Sequence, residues 1–209
     1  MTIEQEFKIK NWNIKRAWKN GIDFLGEKHG KIFTINIAET NNTAVNISAL
    51  NKLQHKTEEL NFLANIYEHT KASDMMLIST TSIFDDDLNI EALKSGIEIV
   101  DKNRWQKLTN EKTFEIRAYQ QDVIEESINK FERKQNKILI EMATGLGKTY
   151  TIANLTKVLI EKGLGFKKIL FLAHQKEILL QSVNSFQYIL SSNIEELGKY
   201  SFSVCIEGG

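Results

Sequence analysis

The sequence predicts an α/β fold built as two units. Three observations predict it. Short apolar strands alternate with helices of mostly 3.6-residue apolar spacing, a glycine-rich turn at 143–149 joins a strand to a helix, and a polar stretch between Lys107 and Thr113 breaks the pattern in two. A chain of 209 residues suits one large domain or two small ones.

In the first unit, Lys31 to Glu39 alternates apolar and polar residues and predicts a strand. Val45 to Thr70 carries Ile47, Leu50, Leu53, Leu60, Leu63, Ile66 and Tyr67 at helical spacing. Met75 to Thr80 reads as a strand, Asp87 to Ser95 as a short helix with Leu88, Ile90 and Leu93 inward, and Ile97 to Val100 as another strand. Trp105 lies in the segment that closes the unit. The second unit starts near Phe114. Tyr119 to Phe131 predicts a helix, Lys137 to Glu141 a strand, and Lys148 to Lys162 a helix that Gly163 and Gly165 end. A strand follows from Lys168 to Ala173, then a helix from Ile178 to Leu190. The boundaries are therefore 1–110 and 111–209.

Hydrophobic residues make up 42% and charged residues 26%, as in ordinary soluble domains, so a packed core is expected. No apolar run is long enough to span a bilayer, and Met1 to Glu6 has no basic-then-apolar signal pattern. Cys205 is the sole cysteine, which excludes an internal disulfide; together these predict a reducing cytoplasm and no membrane. Lys plus Arg and Asp plus Glu each number 27. That neutral balance neither argues for nucleic acid nor excludes a local basic groove. The absence of proline, where average usage gives about ten, reads as a compositional bias of the source genome.

The chemistry concentrates in Ala143-Thr144-Gly145-Leu146-Gly147-Lys148-Thr149. A strand, a glycine-rich turn and a helix are what a phosphate loop requires. Gly145 and Gly147 let the backbone approach phosphates closely. The loop N–H groups and the helix N-terminus offer positive partial charge. Lys148 would add a full charge at the β- and γ-phosphates, and Thr149 a hydroxyl ligand for magnesium. A nucleoside triphosphate, ATP with magnesium, is the expected ligand. Met142 stands where the strict pattern has glycine.

Met142 to Thr149 resembles motif I of superfamily 2 helicases, in the branch found in type I and type III restriction subunits. Arg117-Ala118-Tyr119-Gln120 is similar to the Arg-Pro-Tyr-Gln that precedes motif I there, with Ala118 in place of proline. The resemblance implies that Gln120 reads the adenine edge, for which an amide offers a donor and an acceptor together. Phe171 to Gln181 resembles motif Ia, and implies that His174, Gln175 and Lys176 contact a nucleic-acid strand. Gln175 replaces the family arginine there. The branch carries its magnesium-ordering Asp-Glu pair well downstream of motif Ia. The sequence reaches Gly208-Gly209 without one, so a partial RecA-like domain with a parallel sheet is expected, truncated before the Walker B motif, and the chain reads as a fragment.

Gly21 to Lys31 with the strand after it, and Met76 to Ser82 through Ser95 to Asp101, resemble the Mrr-like restriction endonuclease fold. That family places an Asp on one strand and Glu/Gln-x-Lys on the next, to hold a metal and activate water. Asp23 fits the first position as a remnant nuclease acid; Asn36-Ile37-Ala38 falls at the second and lacks the lysine. Glu39 faces the opposite way from Asn36 on an ideal strand. A turn-flanking aspartate is the plainer reading of Asp23, and a solvated hairpin turn that of Glu27 to Gly30. The resemblance therefore implies a catalytically degenerate nuclease domain ahead of a motor.

Three function classes follow. The first is the N-terminal part of a DNA-dependent ATPase or helicase of the restriction or phage-defence type, with duplex or single-stranded DNA and other restriction or defence subunits as partners. The second is a non-catalytic nucleotide- or DNA-binding fragment without motor activity. The third is a phosphate-loop enzyme of another kind, such as a small kinase, against which Gln120 and the 171–181 segment argue.

Overall fold

The computed structural model describes residues 2–17, 21–38, 45–66, 71–109, 115–135, 137–164 and 168–206. Glu39, Tyr67, residues 110–114, Gly165 and Gly208-Gly209, all used in the sequence argument, lie outside them. The chain divides into two compact units: Met1–Glu111 together with Ser191–Gly209, and Lys112–Leu190.

In the first unit the order is α1 (Ile3–Ile9), β1 (Asn13–Arg16), β2 (Phe24–Lys28), β3 (Lys31–Ile37), α2 (Ile47–Ile66), β4 (Asp74–Ile78), α3 (Asp86–Lys94), β5 (Ile97–Val100) and α4 (Lys102–Thr109). The strands form one mixed sheet in the order β1-β2-β3-β4-β5. β1, β2 and β3 pair antiparallel, and β3-β4-β5 pair parallel. Local chemistry sets the boundaries. Thr2 and Gln5 form a reciprocal capping box at the start of α1. Asp85 accepts the Leu88 N–H at 2.8 Å to begin α3. His29 and Gly30 both have positive φ, 54° and 71°, as the tight β2–β3 hairpin demands.

Strand alternation sends side chains to two cores. Phe33, Ile35, Met76, Ile78 and Val100 face Phe7, Trp12 and Leu108, while Leu77, Ile97 and Ile99 face Leu50, Leu53, Leu88 and Ala92 of α2 and α3. Thr34, pointing to the second face, is satisfied by the Thr57 hydroxyl at 2.7 Å. Trp105, expected to close the unit, lies on α4 and packs against the first core.

The first core is completed from far along the chain. Ile194 and Leu197 are fully buried in it. The Trp12 indole N–H donates to the Ile194 carbonyl at 2.8 Å, and Lys31 donates to the Ser201 hydroxyl at 2.9 Å. Gly198 lies so close to the Phe33 ring that a Cβ there would sit 2.5 Å from it. Residues 191–206 thus pack with the N-terminal unit, whereas the sequence places them with 111–190.

The second unit contains α5 (Ala118–Glu132), α6 (Lys148–Glu161) and α7 (Lys176–Leu190). Ile124 and Ile128 of α5 pack on Leu155 and Leu159 of α6, with Ile140 against them. α6 ends as expected at Gly163: the Gly163 and Leu164 N–H groups reach back to Ile160 and Leu159. The predicted strands at Lys137 to Glu141 and Lys168 to Ala173 are a different matter. Neither belongs to a ladder among the described residues, where the parallel pairs are those of β3, β4 and β5 in the first unit. Their burial nevertheless alternates: Ile138, Ile140, Phe171 and Ala173 are half-buried, while Leu139, Leu170 and Leu172 are 80%, 81% and 79% exposed. One covered face is enough to produce that period. A ladder also needs a backbone neighbour at about 4.8 Å.

Candidate functional site

The site is the turn that enters α6. Gly147 is the N-cap, left-handed at φ 77°, and no side chain caps the helix. The first N–H groups of α6 are therefore uncommitted to a capping side chain. Gly145 is also left-handed, φ 82°, with open space where a Cβ would be; its need for glycine is conformational. At Gly147 a Cβ would also meet the Gln120 amide nitrogen at 2.9 Å. Thr144, Gly145, Leu146, Gly147 and Lys148 are exposed, and Thr149 is half-buried in the first turn of α6. Lys148 Nζ folds back on its own loop and donates to the Met142 carbonyl at 2.7 Å. Two left-handed glycines, an uncapped helix N-terminus and an adjacent ammonium make a concentration of positive potential suited to a polyanion.

α5 supports this turn from behind. Gln120 is 4% exposed, far from a solvated helix residue. Its Oε1 accepts the Arg117 N–H at 3.1 Å, and its Nε2 donates to the Leu146 carbonyl at 3.2 Å. Each end of the amide keeps one further hydrogen-bonding position. Tyr119 Oη donates to the same carbonyl at 3.1 Å and accepts from the Arg117 guanidinium at 3.2 Å. Nothing in the local sequence marks Tyr119 for this role, because a contact to a residue in another element leaves no local period.

His174, Gln175 and Lys176 are exposed where α7 begins, and the Gln175 carbonyl accepts the Leu179 N–H at 3.2 Å. In the first unit, Asp23 precedes β2 and is exposed. Its Oδ2 accepts the Ile37 N–H at 2.7 Å, while its own N–H donates to Asn36 Oδ1 at 3.1 Å. Asn36 Nδ2 donates to the Gly21 carbonyl at 3.1 Å. Asp23 and Asn36 thus tie the end of the β2–β3 pair to the chain entering it. Ala38 packs against the α2–α3 core. Among the described residues no three His, Cys, Asp or Glu side chains gather as a metal site, and no helix is long and apolar enough to cross a membrane.

No curated protein and no solved structure matches the chain. Residues 113–204, which contain the turn, α5, α6 and α7, are similar to the helicase-related family described as type III restriction enzyme, res subunit.

Proposed function

We propose that the chain carries the ATP-binding part of a DNA-dependent ATPase or helicase of the restriction or phage-defence type. The observation that carries this is the turn at 143–149: left-handed Gly145 and Gly147 leading into a helix that no side chain caps. The similarity of residues 113–204 to the restriction family supports the same class. Thr144 to Thr149 surround the phosphates through backbone N–H groups, and Lys148 leaves the Met142 carbonyl to meet the β- and γ-phosphates. The Thr149 hydroxyl would hold magnesium, which would supply charge neutralisation at the phosphates. Gln120 reads adenine with the donor and acceptor positions that Leu146 and Arg117 leave open. His174, Gln175 and Lys176 meet a DNA strand. Magnesium-ATP should raise the melting temperature of the chain, by mass action on the folded state, and Lys148→Ala should remove that rise.

The first unit fits a restriction-endonuclease-like domain that has lost its catalytic set. Its α1, three antiparallel strands, α2 and two parallel strands support that reading. So does the engagement of Asp23 by backbone. A second reading, a nucleotide-binding fragment without motor activity, is favoured by the open face at Leu139, Leu170 and Leu172. Phosphate release with and without duplex or single-stranded DNA separates the two. DNA-stimulated turnover that Lys148→Ala abolishes supports the motor; binding without turnover supports the fragment.

A further inference from the structure

The two side-chain bonds on the Leu146 carbonyl bear on how the phosphate loop is held open. Leu146 stands between Gly145 and Gly147, both at positive φ. The Leu146–Gly147 peptide turns about Leu146 ψ and Gly147 φ, and on the glycine side it meets little steric restraint. In a trans peptide the C=O and the following N–H point in opposite directions. Drawing the Leu146 carbonyl towards α5 therefore turns the Gly147 N–H away from α5. Tyr119 Oη and Gln120 Nε2 both draw it that way, at 3.1 and 3.2 Å. The Arg117 guanidinium occupies a lone pair of the tyrosine oxygen, which leaves the hydroxyl proton for Leu146.

We propose that Tyr119 is a positioning residue for the phosphate loop. Its hydroxyl, oriented by Arg117, fixes the Leu146–Gly147 peptide so that the Gly147 N–H joins those of Lys148 and Thr149 in receiving a polyphosphate. This rests on the nucleotide reading above and adds to it. Because the clamp acts on the loop and not on the base, its loss is felt equally by every ligand that carries a triphosphate.

The test is calorimetry on the full chain with magnesium-ATP, magnesium-GTP and inorganic tripolyphosphate. Tyr119→Phe keeps the ring and removes the hydroxyl. It is expected to weaken all three by a common factor, about three- to tenfold for one lost hydrogen bond, without lowering the melting temperature. Arg117→Met, which leaves the hydroxyl but removes its orienting donor, should weaken all three in the same proportion to a lesser degree. It also serves if Tyr119→Phe folds poorly. A loss confined to ATP would mean that these side chains read the base, and overturns the clamp. So does unchanged affinity in both variants when Lys148→Ala has lost binding. If Lys148→Ala binds all three as the parent does, the nucleotide reading itself fails, and the clamp falls with it.

Discussion

Removing the side chain of Leu197 tests the most consequential feature of the fold, the packing of residues 191–206 into the N-terminal core. Leu197 is fully buried beside Trp12, Phe33 and Ile194. Leu197→Ala deletes its branched end from a site with no solvent to refill it. The lost transfer free energy and the residual cavity together cost about 2–5 kcal/mol. The same change on a surface segment costs at most about 0.5 kcal/mol. The assay can address one unit alone, because all three tryptophans, Trp12, Trp18 and Trp105, fall within Met1–Glu111. Urea unfolding followed by tryptophan fluorescence should show a midpoint lowered in proportion, with an unchanged slope. A shift within about 0.5 kcal/mol would refute the packing and return 191–206 to the surface.

Other perturbations follow from the same geometry. Burial holds the His29 imidazole below the usual histidine range; its contact with the Glu195 carbonyl and nearby Glu196 oppose this, and Lys28 and Lys199 add to it. The depressed value means that stability is present above the ordinary value of about 6.5 and lost as pH falls through the lowered one. The fluorescence midpoint should fall on acidification more in the parent than in His29→Asn, whose side chain tolerates φ 54°; equal falls would remove His29 from the docking of 191–206. If Gln120 reads adenine, the parent prefers ATP over GTP and Gln120→Ala loses the preference, whereas a parent indifferent to the base takes Gln120 out of that role. Plasmid DNA with magnesium or manganese should stay intact, and Asp23→Ala should cost on the order of 1 kcal/mol through the orphaned Ile37 N–H. Metal-dependent nicking that Asp23→Ala abolishes would show the carboxylate holding a metal.

Long or strictly periodic elements were legible from residue order. α2, α3, α5, α6 and α7 follow their apolar spacing, and β3, β4 and β5 theirs. α1, β1 and α4 were not read, because each is short and α4 is polar but for Trp105 and Leu108. The Thr2-x-x-Gln5 capping box was a local signal for α1 that could have been used. The destination of 191–206 left no trace in sequence, since an irregular segment docks through a few side chains and carries no period. At Lys137 to Glu141 the sequence predicts a strand and burial alternates along it, but an alternating cover reports one packed face and says nothing about a ladder partner. At the site, the glycines, Lys148 and Thr149 were legible from spacing. The burial of Gln120 and the part played by Tyr119 depend on how α5 meets the loop, which only three-dimensional contact reveals.

The central claim is that the turn at 143–149 binds the phosphates of ATP. Titration calorimetry of the parent chain and Lys148→Ala with magnesium-ATP tests it directly. Lys148 sits exposed on the turn and donates to its own loop's Met142 carbonyl at 2.7 Å, so its replacement leaves the core of α5 and α6 intact. A charge-assisted bond to phosphate is worth about 1.5–3 kcal/mol, and affinity should fall roughly ten- to a hundredfold. Equal affinity in the two chains, or no binding by the parent, would contradict the assignment.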